Sequence, residues 1–149
     1  MRKLARTIII FATIIGIYAI WCRTYSFDAD MATAHLTQHA CNRSKHCCAW
    51  YSMRALHAGG CPAIILPAQW YRYYMPIVQF EEIPKQDYIP QKGDVVVFER
   101  PSWKNWNKIS QWWGHIAMYN GKQWISDYKQ KNMNPYKSDV PYRLYRYRK

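Results

Sequence analysis

The order of its predicted elements places this chain in the α+β class. A helix is predicted first, over residues 45–58, and short apolar runs follow it. These runs are a buried strand at 95–98, a hairpin at 115–119 and 123–128, and a closing strand of alternating basic and apolar residues at 143–148. A helix followed by consecutive strands is typical of an antiparallel sheet with helices packed on one side.

The first helix has a start signal and a stop signal. Ser44 is a plausible N-cap, apolar residues recur every three or four positions, and Gly59-Gly60 followed by Pro62 ends the helix. An aromatic-rich stretch predicts a second, short helix at 68–74.

The hairpin is predicted around Asn120-Gly121, a strong signal for a two-residue turn. A regular two-residue turn would put His115 and Asp127 on opposite faces of the sheet, because side chains alternate along a strand. A three-residue loop or a bulge is therefore predicted, with His115 opposite Ile125.

The N-terminus carries the 16-residue run from Thr7 to Cys22, which has no charge and follows basic residues. It is predicted to be a signal anchor or signal peptide (1–23), followed by a polar linker (24–40) and the main domain (41–149). An uncleaved anchor is favoured, because the small-x-small pattern Ala32-Thr33-Ala34 lies ten residues beyond Cys22. The flanking charge puts the rest of the chain outside the cytoplasm. A buried core helix is the alternative.

Composition limits the functions. Half of the residues are hydrophobic and 17% are aromatic, which excludes a disordered chain. The net charge of +12 favours an anionic partner, such as nucleic acid, anionic lipid or an acidic wall polymer. Solubility alone is the competing interpretation, and the export segment argues against nucleic acid.

Three residues have the chemistry of a thiol hydrolase. Cys48 lies in the first turn of the predicted helix, where the helix dipole favours a thiolate. His115 begins a strand and could move the proton, and Asp127 could hold the imidazole in one tautomer. Backbone N–H groups at the helix start could stabilise an oxyanion.

Rival residues are less suited to these roles. Cys47 points about 100° away from Cys48 on a helix, and Cys48 shares the apolar stripe with Tyr51 and Ala55. Neither His46 nor His57 would reach Cys48. A zinc site remains an alternative, but its residues lack paired C-x-x-C spacing, so no metal or other cofactor is predicted; they would be Cys41, Cys47, Cys48, Cys61 and His46. The odd count of five cysteines leaves at least one thiol free.

Three segments together resemble the NlpC/P60 and CHAP cysteine peptidases and amidases. They are Cys48-Ala49-Trp50-Tyr51, the stretch PQKGDVVVF at 90–98, and GHIAMYNG at 114–121. The resemblance implies a papain-like α+β fold that hydrolyses amide bonds in peptidoglycan stem peptides or cross-links without a metal. It gives Cys48 the nucleophile position, His115 the base position and Asp127 the third position. One branch has Asp before the nucleophile, where this chain has Cys47.

The resemblance leaves two forms of this activity open. One is a membrane-held wall hydrolase of housekeeping or phage type, which the N-terminal anchor favours. The other is an amidase toxin delivered to rival cells, for which an immunity or inhibitor protein is an open question. Tyr51, Trp112 and Trp113 are predicted to bind substrate as walls of the cleft.

A different class of function is a basic, non-catalytic module that binds glycans on its aromatic loop. That loop carries Trp103, Trp106, Trp112 and Trp113. A reactive thiol at Cys48 would favour the enzyme over the module.

Overall fold

The computed structural model describes residues 2–101 and 112–148. Four α-helices and a short 3-10 turn come first in the described chain, and the strands follow them. The helical segments are α1 (Arg2–Thr24), α2 (Ala29–His39), α3 (Cys48–Ala58), the 3-10 turn Ala68–Trp70 and α4 (Tyr71–Tyr74). The strands are β1 (Phe80–Ile83), β2 (Val95–Phe98), β3 (His115–Tyr119), β4 (Trp124–Ile125) and β5 (Tyr142–Tyr147).

The strands form one sheet in the order β1-β5-β2-β3-β4, and each neighbouring pair is antiparallel. The predicted α+β class with an antiparallel sheet is confirmed. All four residues of β2, the centre of the sheet, are buried. Val95 and Val97 belong to one apolar cluster and Val96 and Phe98 to another, as expected for a strand covered on both faces.

The larger apolar cluster lies between the helices and the sheet. It is built from α2, α3, the segment 61–78 and one face of the strands. The smaller cluster covers the opposite face, where Val140 and Leu144 pack with Trp124 and Ala117. The sheet therefore separates two apolar cores, one on each of its faces.

The segment 24–40 differs from the predicted linker. Residues 29–39 form α2, and the Asp28 carboxylate caps that helix by accepting from the N–H of Met31 at 2.9 Å. Ala32 and Leu36 of α2 are fully buried in the larger core. The linker prediction was wrong because this stretch is mostly polar. Its helix buries few apolar side chains, and Ala32 and Leu36 are four positions apart.

The predicted helix at 45–58 forms from Cys48 onward, three residues later than expected. Ser44 does not cap it, because the Ser44 hydroxyl donates to the Asp127 carboxylate at 3.1 Å. The helix ends at Ala58, before Gly59-Gly60, as predicted. The short helix predicted at 68–74 is also confirmed, as a 3-10 turn that continues into α4.

The hairpin around Asn120-Gly121 is confirmed, but its predicted register is wrong. Tyr119 pairs with Trp124 and Met118 with Ile125, so the loop has four residues rather than three. The Asn120 side chain closes the loop by accepting from the N–H groups of Lys122 and Gln123 at 3.0 and 2.9 Å. The Asn120 side chain thus closes the turn, and Gly121 supplies its left-handed backbone, with φ +93°.

Helix α1 has two different halves. Every residue from Leu4 to Ile17 is exposed, whereas Cys22 is buried in the larger core together with Tyr25 just beyond the helix. The Tyr18 hydroxyl donates to the Pro62 carbonyl at 2.7 Å, and Gln79 Nε2 donates to the Cys22 carbonyl at 3.1 Å. The stretch Leu4–Thr24 has a mean hydropathy of 1.9, and its length and composition suit a membrane span or a signal sequence.

Candidate functional site

Asp127, two residues after the end of the edge strand β4, holds the residues before α3 in place through hydrogen bonds. One carboxylate oxygen accepts from the N–H groups of Lys45 and Cys47, at 2.5 and 3.3 Å, and from the Ser44 hydroxyl. The other oxygen accepts from the Ser126 hydroxyl at 3.0 Å. Cys47 is the N-cap residue and offers no side-chain cap of its own. The carboxylate therefore supplies both the acceptor and the negative charge that a helix start favours.

Cys48 is the first residue of α3, and its side chain packs partly buried against the larger core. Burial raises the pKa of its thiol to about 11, and the nearby Asp127 carboxylate contributes to the rise. The backbone N–H groups of Ile116 and Ala49 act in the opposite direction by favouring the thiolate. Because Ile116 directly follows His115, α3 and β3 bring the candidate nucleophile to the residue beside the candidate base.

His115 opens β3 directly after a glycine that the packing requires. Gly114 has φ +71°, and a Cβ there would lie 2.4 Å from the Phe98 carbonyl oxygen. The His115 ring packs beside Phe98 and Tyr136, with ring centroids 6.3 and 6.4 Å away. Burial lowers the pKa of the imidazole to about 4, against a smaller rise caused by the Asp127 charge. The ring is therefore neutral at physiological pH.

Gln130 is the hydrogen-bond partner of the imidazole. Its buried amide nitrogen Nε2 contacts His115 Nε2 and also donates to the Ser126 hydroxyl at 3.1 Å. The direction of the contact with the imidazole depends on the ring tautomer and on which way the amide is turned. The Gln130 carbonyl oxygen is buried without a hydrogen-bond partner in the described structure. Rotating the amide by half a turn would bring this oxygen to the imidazole as an acceptor.

Asp127 does not take the place predicted for it beside His115. Strand β4 ends at Ile125, and the chain then turns back so that Gln130 N–H donates to the Trp124 carbonyl at 2.9 Å. This turn directs the Asp127 carboxylate to α3 and brings Gln130 to the imidazole. Asp127 acts on His115 through its charge, without a hydrogen bond between them. Sequence reasoning missed Gln130, because it belongs to no motif and a strand was predicted to run to Tyr128.

The rival residues lie away from this arrangement. The Cys47 side chain is exposed, and its thiol donates to the Lys45 carbonyl at 3.4 Å. His46 is exposed with a left-handed φ of 61°, and the His57 ring contacts the Ala63 carbonyl. Across residues 2–101 and 112–148, no three His, Cys, Asp or Glu side chains cluster closely enough to hold a metal ion.

Two of the three predicted substrate-binding aromatics precede His115 closely in the chain, and the third follows Cys48. Trp112 and Trp113 are exposed in the two residues before Gly114, and Arg100 lies 5.1 Å from the Trp112 ring. Tyr51 lies one turn after Cys48 and contacts the Cys41 thiol through its hydroxyl at 3.5 Å. Tyr51 also lines a cavity of about 110 Å³ between α2 and α3. Trp103 and Trp106 of the predicted aromatic loop lie outside the described residues.

Comparison with known proteins adds a likeness in fold. No protein-family model matches the chain, and no curated protein matches it by sequence. Two crystal structures of the type VI effector–immunity complex Tae3-Tai3 from Ralstonia pickettii do match. The native complex gives a TM-score of 0.63 at 23% identity, covering 82% of this chain and all of the matched one. The selenomethionine form gives 0.61 at 24%, covering 77% and 98%.

The chain therefore has the fold found in that effector–immunity complex. This agrees with the papain-like α+β arrangement expected from the sequence, with the helix that carries Cys48 packed on the sheet that carries His115. At this level of identity the likeness concerns the fold alone.

Proposed function

We propose that this protein is a peptidoglycan amide hydrolase that uses Cys48 as nucleophile and His115 as general base and acid. The observation that carries the proposal is the packing of α3, which begins at Cys48, against β3, which begins at His115. The resemblance of the flanking motifs to NlpC/P60 and CHAP enzymes and the shared fold with a type VI effector complex both support it.

In this proposal the resting pair is neutral, because burial holds the pKa of Cys48 high and that of His115 low. Reaction begins when the thiol proton moves to the imidazole and the sulfur attacks the carbonyl carbon of the scissile amide. The oxyanion that forms lies at the start of α3, where backbone N–H groups and the helix dipole favour negative charge. His115 then donates its proton to the leaving amine, and water releases the acyl group from Cys48.

Gln130 has a positioning role in this scheme. A general base needs one unprotonated ring nitrogen, so in the resting enzyme Nε2 carries the ring proton and Nδ1 is free to take the proton of the thiol. The unpaired Gln130 carbonyl oxygen accepts from Nε2–H when the amide is rotated by half a turn, in the resting ring and in the imidazolium alike. The Asp127 charge assists by favouring the imidazolium, and its contacts to 44–47 hold the start of α3 in place.

The likeness to a type VI effector complex supports the effector form of this activity, and the N-terminal anchor supports the membrane-held form. The matched solved structures are of a type VI effector with its immunity protein, so a cognate inhibitor is the expected protein partner. We place the domain outside the cytoplasm, in the cell envelope, with α1 as its membrane anchor. Peptidoglycan peptides are the proposed substrate, and no cofactor takes part.

The test is incubation of the full-length protein, in mild detergent, with purified peptidoglycan and with soluble muropeptides. Mass spectrometry should find products in which one amide has gained water, and the site of that gain identifies the scissile bond. Cys48→Ala is the inactive control and Cys47→Ala the matched active one. Binding of wall material without any hydrolysed amide would overturn the hydrolase in favour of the glycan-binding module.

A further inference from the structure

Helix α1 is too short to span a bilayer unless the domain itself lies against the membrane. Its freely exposed part, Leu4 to Ile17, has 14 residues, or about 21 Å at 1.5 Å per residue. A bilayer hydrocarbon core is about 30 Å thick. The full stretch Leu4–Thr24, 21 residues or about 32 Å, is long enough. A span therefore needs the last two turns, which the domain covers on one side.

Those two turns are held by the segment 62–79. The Pro62 carbonyl accepts from the Tyr18 hydroxyl, the Cys22 carbonyl accepts from Gln79, and the Tyr25 hydroxyl donates to the Val78 carbonyl. Trp21, on the uncovered side of the helix, is 49% exposed. At the depth that a span requires, the part of the domain surface around these contacts reaches the membrane interface.

Five large apolar side chains are exposed on that surface, and we term them the seat: Ile64, Ile65, Trp70, Tyr73 and Ile77, each between 43% and 64% exposed. The charge beside them, on Arg72, lies 4.6 Å from the Tyr73 ring and is paired with Glu99. Trp70, Tyr73 and Ile77 recur at helical spacing, while the residue after each of them, Tyr71, Tyr74 and Val78, is buried. The chain thus turns one face of this segment to the core and presents large apolar groups on the other.

We infer that the seat rests in the interfacial layer of the bilayer that α1 enters, so that the domain is held on the membrane surface as well as tethered to it. Two independent observations converge on this surface: the helix length and the exposed apolar residues beside the helix exit. Aromatic side chains such as Trp70, Tyr73 and Trp21 favour that layer of a membrane. The inference rests on α1 as the membrane helix proposed above and is independent of the hydrolase chemistry.

Quenching of tryptophan fluorescence by brominated lipids tests this contact. The full-length protein is reconstituted in vesicles of phosphatidylcholine and phosphatidylglycerol with acyl chains brominated near the headgroup. We expect Trp70→Phe to remove a quenched component of the emission and Trp50→Phe to remove an unquenched one. Trp50 is a matched control because it is 49% exposed but lies on α3, outside the seat. Equal loss of quenched signal in both variants, or failure of the protein to insert, would overturn the inference.

A second pair of variants tests the surface without removing a fluorophore. The double variant Ile65→Glu/Ile77→Glu should move the seat out of the membrane interface. The quenched fraction of the tryptophan emission should then fall to the level found for Trp70→Phe. Ile89→Glu, at a side chain 76% exposed outside the seat, should leave the fraction unchanged. Hydrolysis of soluble muropeptides should be equal in all of them, which separates this inference from the proposed function. A different result would overturn the inference: Trp70 unquenched, and dimers formed by the unmodified protein but not by the double variant. The surface would then be a contact between two copies of the chain.

Discussion

Asp94 and Asp127 are both fully buried carboxylates at the ends of strands, and they are balanced in different ways. Asp94 receives two charged contacts from Arg146, at 2.7 and 2.8 Å, together with the Tyr88 hydroxyl and the Gln91 N–H. Asp127 has no ion pair with a cation in the described residues. Its oxygens are satisfied by backbone N–H groups and two serine hydroxyls.

Under the proposed mechanism, the difference separates an acid that stabilises the fold from one that acts on the reacting groups. An acid neutralised by arginine joins two parts of the fold and leaves little net field around it. An acid held by neutral donors has no counter-charge beside it, and Asp127 acts electrostatically on both Cys48 and His115. The same buried residue type therefore fixes the sheet at one end and polarises the candidate site at the other.

Removing the Cys48 thiol gives the largest expected loss of activity, and it concerns only the candidate site near Asp127, not the Asp94 ion pair. Cys48→Ala should reduce hydrolysis of muropeptides to background, because the proposed acyl intermediate forms on its sulfur. Cys47→Ala should retain activity, since its thiol is exposed and faces the Lys45 carbonyl. Initial rates from chromatography of the products measure both. An active Cys48→Ala protein would move the chemistry elsewhere.

Matched substitutions of the two acids test the comparison directly. Asp127→Asn should cost about a hundredfold in activity, because it loosens the loop that sets the position of Cys48. Asp94→Asn should cost about 3 kcal/mol in the free energy of unfolding by leaving Arg146 with a weaker partner, with near-normal activity per folded molecule. Denaturant unfolding and rates at saturating substrate separate the two quantities. Equal loss of activity in both variants would contradict the comparison.

The pH dependence of stability should report His115. Its pKa is about 4 in the folded protein and near 6.5 in the unfolded chain, so below pH 6.5 the unfolded state binds more protons and the folded state loses stability. The expected loss between pH 7 and pH 5 is about 2 kcal/mol. Urea unfolding at a series of pH values measures it. His115→Gln should flatten the slope, whereas Asp94→Asn should leave the slope unchanged.

The smallest expected effect concerns the partner of the imidazole. Gln130→Ala should lower activity about tenfold, because the imidazole keeps its proton-transfer role but loses the group that orients it. Gln130→Glu restores an acceptor with a charge and should move the acid limb of the pH–rate profile to higher pH. A purely structural role for Gln130 would lower stability in both variants and leave that limb in place.

The sequence predicted the elements with strong local signals. The helix of Cys48, the strand 95–98 and the Asn120-Gly121 hairpin follow from periodicity, glycines and turn residues, and all three form. Helix α2 was missed because its surface is polar and it buries only a few small or spaced side chains. The exchange of roles between Asp127 and Gln130 was beyond sequence reasoning, since it depends on where β4 ends and the chain turns back.

The packing of residues 22–36 into the main core determines how the chain can mature. Cys22, Tyr25, Ala32 and Leu36 are all buried there. Proteolytic removal of a leader at Ala32-Thr33-Ala34 would take three of these four side chains out of the folded domain and open a trough along α3. Cleavage of a leader at that place is therefore incompatible with this tertiary structure. A recombinant protein shortened to the same residue would likewise lose these core side chains.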